Sequence, residues 1–575
     1  MPKFPTLTTA FAAMAAAIGL GVSAPPASVL AAPAAAPKSM VSAANPLAVA
    51  AGVKVLKAGG GAVDAAVAIQ AVLGLVEPQS SGLGGGAFLV YYDARTKTVT
   101  AYNGRETAPA GAGPGMFLRP DGRPMGFGEA VVSGRATGVP GAVAMLEAAH
   151  KDHGRLAWKN LFGDAERLGR NGFEVSPRLA NYIAGGGFPQ SSTPDVKRYF
   201  TKPGGETYRT GDLLKNPDYA ATLRRLAAGG TRALLQGEIG AAIVAKVRAE
   251  PLPGTMTAED LAGYRPKTSP ALCMPYRVYL VCTPPAPSGG VGLLELLGIL
   301  QNTDIGKFGP KTAQGWFLFA EASRLAYADR DHYVGDPDFV ATPQAGLIDP
   351  AYVASRARLI GAKAIQGPPA WGTPPGAPVR APDKTLEPAG TSSFAVADRF
   401  GNVVAMTTTV ESLFGTGRMV HGFFLNNQLT DFSFAPTEPD GAPAANAVGP
   451  RKRPRSSMSP TIVLDRQGRF VAAIGSPGGA AIIDYVAKVL VGMIDWGLPM
   501  DEAIALPNVI ARGDTVSASE MDPALTAELQ ARGLNVRAGR AENSGLHGVA
   551  AGPLARGKGL AGAADPRREG VAVGF

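Results

Sequence analysis

Gly390 and Thr391 open the run GTSSFAVADRFGNVVAMTTTVESLFGTG, and the Thr391 hydroxyl is the candidate nucleophile of this chain. A threonine hydroxyl attacks poorly unless a base stands within hydrogen-bond reach. The sequence holds 5 histidines, none of them near Thr391. The base therefore comes from elsewhere in the fold or from Thr391 itself. If the chain is cut between Gly390 and Thr391, the new α-amine has a reference pKa of about 8, suited to general-base work near neutral pH. Cleavage would then create the catalyst. Further on, Gly478 and Gly479 carry no side chain to block approach to their amides, and two such donors aimed at one point can form an oxyanion hole contributing about 3 kcal/mol per donor. Read alone, that pair is also compatible with a plain glycine turn.

These groups need elements to hold them. Phe394 and Val396, then Val404 and Met406, follow period two on either side of the turn formers Asp398, Gly401 and Asn402, which predicts a hairpin. With a five-residue loop from Asp398 to Asn402, Ala397 faces Val403, and counting outward sets Thr391 opposite Thr409 with Cβ atoms about 5 Å apart. A one-residue slip would turn one hydroxyl to the other face. Upstream, helical spacing covers Asn45 to Lys57, and an almost wholly apolar helix runs from Ala62 to Val76, the pattern of a buried element. It leads through SSGLGGGAF to a strand. That glycine run lacks the Lys-Ser or Lys-Thr pair of a phosphate loop and has the order helix, loop, strand, so it is not read as one. Arg105 follows the strand Val99 to Tyr102. Residues 367–390 turn to proline, glycine and alanine without periodicity and read as a flexible linker whose slack would let a new chain end leave the site.

The chain has 575 residues, 46% hydrophobic and 18% charged, enough for a large core. Its net charge of +9 is concentrated in no long basic run. Arg451 to Arg455 reads as a solvated loop, and no nucleic-acid partner is expected. Lys3, the apolar stretch Phe11 to Val22 and the small residues ending at Ala31 form the pattern of a signal peptide over 1–31, which implies a periplasmic or secreted protein. The apolar stretch is short for a membrane span. Asp329, Asp331 and Asp336, with His332 among them and Arg330 interleaved, read as salt bridges and caps, so no metal site is assigned. Cys273 and Cys282 could pair after export, but a hairpin through Met274 to Arg277 would not set them opposite each other, and they are left unassigned.

The Thr391 stretch resembles the self-processing junction of the gamma-glutamyltransferase family. FFLNNQLTDFS, KRPRSSMSP and IGSPGG continue the likeness in family order, as do KAGGGAVDAAVA to SGLGGGAF, YNGRETAP, GVPGAVAMLEAAH, PPAPSGGVGLLELLGIL and ASRLAYADRDHYVGDPDF before it. The resemblance implies an α+β protein, a four-layer αββα sandwich of the N-terminal-nucleophile hydrolase type. Self-cleavage would give a large subunit, 32–390, and a small catalytic subunit, 391–575, that stay together and need no cofactor. It implies transfer of a γ-glutamyl group from glutathione or another γ-glutamyl amide to water or to an amino-acid or peptide acceptor. Thr409 would polarise the nucleophile, and Gly478 and Gly479 would bind the oxyanion. Arg105, Ser456 and Ser457 would hold the substrate α-carboxylate, and Glu411, Gln428 and Asp431 its α-ammonium.

Three departures stand out. Glu411 occupies a place where asparagine is usual, Ser393 one where histidine is common, and the likeness thins around Pro507 to Ser519. The loop 432–455 has no aromatic residue after Phe434, so an open or partly covered pocket is expected. Two other readings remain. One is an acylase acting on glutaryl or cephalosporin-type amides, against which the acidic Glu411 and Asp431 argue. The other is an uncut periplasmic protein that binds an amino acid without catalysis.

Overall fold

Alternation along the strand Thr391–Ala397 decides the layering. Phe394 and Val396 enter one apolar cluster together with Val49, Val67 and Ile69 of the helices Pro46–Lys57 and Ala62–Val76. Ala395 and Ala397 enter another, with Ile462, Leu464 and Ala473 of a second sheet. A period of two thus sends one face of the strand to helices and the other to strands. The second sheet repeats the pattern outward, since Val463, Ala472 and Ile474 pack with the helices Gly290–Gln301, Ala313–Tyr333 and Ile482–Ile494. The result is helix, sheet, sheet, helix, the sandwich expected from the sequence.

The computed structural model describes residues 36–379, 385, 387, 390–435, 444–539, 544–557 and 559–575. The expected signal peptide lies outside them. So do residues 380–384, 386, 388 and 389 of the linker and 436–443 of the loop after Phe434. Among the described residues no helix is long and apolar enough to cross a membrane.

The first sheet has seven strands, with Thr391–Ala397 and Val403–Thr409 near its centre. They pair antiparallel in the register counted from the sequence, Ala397 opposite Val403 and Thr391 opposite Thr409. Asp398 closes the turn, its carboxylate accepting from the amides of Phe400 and Asn402, and Gly401 takes φ 86°. On the other side Thr409 pairs with Gly86. The glycines before it are there for close approach: a Cβ on Gly84 would strike the Phe424 carbonyl, and one on Gly85 the Thr409 carbonyl.

Beyond the basic run 451–455, expected as a solvated loop but with Lys452, Arg453 and Arg455 buried, two expectations change. Cys273 and Cys282 do stand opposite each other and form a disulfide. The strands Leu272–Tyr276 and Tyr279–Thr283 turn through only Arg277 and Val278, with Arg277 at φ 54°, and a two-residue turn shifts the count that had separated the cysteines. The second change concerns the linker, which is not slack over its described part. Asp329 accepts from the Gly372 amide, Arg356 donates to the Ala370 carbonyl, Trp371 stacks on His332, and Glu387 is buried. Asp329 also pairs with Arg356 at 2.9 Å, and Asp331 with Arg330 and Arg512 at 2.8 Å each. Asp336 accepts from the Arg453 amide.

Candidate active site

Thr391 and Thr409 share the face directed at the second sheet, and both are buried. Ser393, two residues on, meets Gly475, where a Cβ would strike its hydroxyl. The loop that follows Gly475 therefore reaches the Thr391 end of the hairpin, and Gly479 lines the cavity there with Arg105, Glu411, Gln428, Asp431, Ser456 and Ser457. Gly478 does not line it. It sits at φ 138°, where a Cβ would fall 2.5 Å from the Tyr485 ring, and Gly479 follows at φ 55°. Neither position suits a side chain.

The Thr409 hydroxyl is the hub of the site. It donates to the Gly390 carbonyl at 2.6 Å and accepts from the Thr391 hydroxyl at 3.1 Å and the Glu411 amide at 2.7 Å. One donor and two acceptor lone pairs are all a hydroxyl has. Gly390 itself has room only for hydrogen, because a Cβ would collide with the Glu411 carbonyl. No histidine lines this cavity among the described residues. His547 is buried, which pushes its pKa down to about 4.

Glu411 is held at φ 81°, a left-handed conformation costing a non-glycine residue about 1–3 kcal/mol. Its carboxylate accepts from the Ser412 hydroxyl and the Asn427 amide. Burial, reinforced by the Asp431 carboxylate, raises its pKa well above the usual range. Burial also raises that of Asp431, against the pull of Arg105. Asp431 Oδ1 and Gln428 Oε1 are buried acceptors with no hydrogen-bond partner. Such oxygens are costly unless a donor arrives. Arg105, expected to hold a substrate carboxylate, donates instead to Asp431 Oδ2 at 2.5 Å and to the carbonyls of Pro454 and Arg455. The structure brings all the expected residues but Gly390 and Gly478 to one cavity, yet joins Arg105 to Asp431.

Several residues at the site carried no local signal in the sequence. Arg568 donates to the Thr391 carbonyl at 3.3 Å, and Glu77, paired with Arg178, accepts from the Ser392 hydroxyl at 2.7 Å. Both contacts fall just after Thr391, one on its carbonyl and one on the next side chain, and hold the start of its strand. Glu106, beside Arg105, is fully buried, which raises its pKa to about 8. The sequence around it gave no hint of that shift.

A threonine opening the inner strand of an αββα sandwich, bonded to a second threonine beneath a glycine turn, defines an N-terminal-nucleophile hydrolase. Within that class the chain belongs to the gamma-glutamyltranspeptidase family, whose pattern it matches over residues 48–575. It is 39% identical to the glutathione hydrolase proenzyme of Bacillus subtilis (strain 168), an alignment spanning 82% of this chain and 80% of that one. The glutathione hydrolase proenzyme of Escherichia coli (strain K12) is 37% identical over 83% and 81%. Among solved structures, the cephalosporin acylase from Bacillus halodurans superposes with a TM-score of 0.80 at 26% identity, covering 94% of this chain and 96% of that one.

Proposed function

We propose that this enzyme is a self-processing γ-glutamyl transferase and hydrolase acting on glutathione and related γ-glutamyl amides. The two partnerless acceptors, Asp431 Oδ1 and Gln428 Oε1, beside Glu411 carry this reading. An α-ammonium supplies the donors and the charge that they lack. A glutaryl group supplies neither, which disfavours the acylase alternative.

The same geometry supports self-cleavage. As the Thr391 oxygen attacks the Gly390 carbonyl carbon, its proton passes to Thr409, and the Thr409 proton passes to the carbonyl oxygen that it already bonds. The hydroxyl so formed gives its proton, by way of Thr409, to the nitrogen as the C–N bond breaks; the nitrogen becomes the α-amine of Thr391, and the restored carbonyl is that of an ester joining Gly390 to the Thr391 oxygen. Water hydrolyses that ester. Subunits 32–390 and 391–575 result, with 1–31 removed on export to the periplasm or beyond. In the mature enzyme the Thr391 oxygen attacks the γ-carbonyl of the substrate, and the α-amine carries the proton from the hydroxyl to the leaving amine. Gly479, the member of the glycine pair that lines the cavity, stabilises the oxyanion through its amide, and Ser456, Ser457 and Arg105 receive the α-carboxylate. The γ-glutamyl ester goes on to water or an amine acceptor.

Two outcomes follow. Purified protein should hydrolyse γ-glutamyl-p-nitroanilide at least tenfold faster than glutaryl-p-nitroanilide, measured as kcat/KM, given about 1.5–3 kcal/mol for a hydrogen bond to a charged group; equal rates would move the assignment to an acylase. The second concerns pH. With its pKa raised above the usual carboxylate range by burial and by Asp431, Glu411 gains charge as pH rises, so KM for a γ-glutamyl amide should fall as the pH is raised. Glu411→Asn cannot titrate and should flatten that dependence with kcat little changed. A KM profile identical in the two proteins would remove Glu411 from ammonium binding.

A further inference from the structure

The cavity at Thr391 already contains a carboxylate from the chain's own sequence. Glu387, four residues before the nucleophile, is buried there. Arg330 Nη2 donates to it at 3.0 Å, Arg455 Nε at 3.3 Å, and the Ser457 hydroxyl donates as well. Its main-chain carbonyl accepts from the Ala480 amide at 3.0 Å, just past the glycine pair. Burial would raise the pKa of this carboxyl, but Arg330, Arg455 and Arg512, with the Ser457 hydroxyl, outweigh it and hold the group ionised. The space left in the cavity is about 20 Å³, room for one water and not for an amino-acid head.

We propose that Glu387 is a built-in occupant of the substrate-carboxylate subsite. This rests on the reading that Ser457 receives a substrate carboxylate. In the uncut chain Glu387 takes that place, with Arg330 as its principal cation, and so does two things. It anchors the chain ahead of Gly390, whose carbonyl Thr409 holds, and it keeps substrates out until the bond is cut. Before cleavage the carboxylate is tethered from both sides, which gives it a high effective concentration in the subsite. After cleavage only one tether remains, and a free substrate can displace it. Arg330, vacated by Glu387, then joins Ser457 in holding the substrate.

The test follows self-cleavage by gel after a short pulse of cell-free synthesis. Glu387→Gln should cut about tenfold more slowly or worse, as expected for loss of charge-assisted bonds, and Glu387→Asp should recover part of the rate. Arg330→Gln should also be slow, and the double variant no slower than either single one. In parallel, L-glutamate is titrated by calorimetry into the uncut Thr391→Ala chain with and without Glu387→Gln, and should bind at least tenfold more tightly when the Glu387 charge is gone. Cutting of Glu387→Gln at the wild-type rate, fully additive Arg330 and Glu387 effects, or equal glutamate affinity in the two uncut chains would overturn the proposal. Slow cutting with aspartate rescue and non-additivity, in a protein whose mature form ignores L-glutamate, would keep the anchor and overturn the γ-glutamyl reading instead.

Discussion

Thr391→Ala will yield a single chain still joined at Gly390, with γ-glutamyl hydrolysis reduced by a factor on the order of 10⁴ or more, as for loss of the nucleophile in other covalent hydrolases. One oxygen serves two reactions here. In the proposed mechanism it is the atom that cuts the chain and the atom that forms the γ-glutamyl ester, and the α-amine that would act as its base does not exist until the cut is made. Alanine removes the oxygen and leaves the strand intact, because Thr391 is paired to Thr409 by the backbone ladder of a seven-stranded sheet. The variant should therefore fold and melt like the parent. Intact mass and N-terminal sequencing decide the matter: two fragments from the parent, one starting at Thr391, against one from the variant. Thr391→Ser keeps an oxygen and should still cut, more slowly. A parent that stays whole, or an alanine variant that divides at the same bond, would sink the assignment of Thr391.

The hairpin was legible because its turn formers are local and its strands obey period two. Asp398, Gly401 and Asn402 fix the loop length, and from that length alone Thr391 meets Thr409. The cysteine hairpin resisted the same counting. Arg277 and Val278 are not turn residues by composition, and the left-handed Arg277 that makes a two-residue turn possible leaves no mark in the sequence. Most of the residues that line the cavity beside Thr391 were legible through the family likeness, but their pairing was not. Arg105 and Asp431 lie 326 positions apart, and nothing local shows that they bond to each other in the uncut chain. Glu387 was passed over for a related reason. Proline- and alanine-rich sequence reads as linker, and the partners that bury this carboxylate, Arg330 and Arg455, sit 57 and 68 positions away. The available cue was an acidic residue four positions before Thr391.

Thr409→Val should slow self-cleavage by about 10²–10³-fold, the range for removing one donor to a developing oxyanion. Valine keeps the shape and β-propensity of threonine, so the strand pairing survives. Three interactions are lost at once. The Gly390 carbonyl loses its 2.6 Å donor, the Thr391 hydroxyl loses the acceptor that orients it, and the Glu411 amide loses its 2.7 Å partner. The first two act on the transition state of cleavage, since the carbonyl oxygen gains charge as the hydroxyl attacks. The third loosens Glu411, whose left-handed backbone has that amide bond among its supports. Mature Thr409→Val enzyme, recovered after prolonged incubation, should then show a reduced kcat from the mispositioned nucleophile and a raised KM from the displaced ammonium site. Thr409→Ser, which retains the hydroxyl, should restore cleavage to within about tenfold of the parent, because only a methyl group is missing. Cleavage of the valine variant at the parental rate would mean that the hydroxyl pair is a strand contact and that the proton leaves Thr391 by another route.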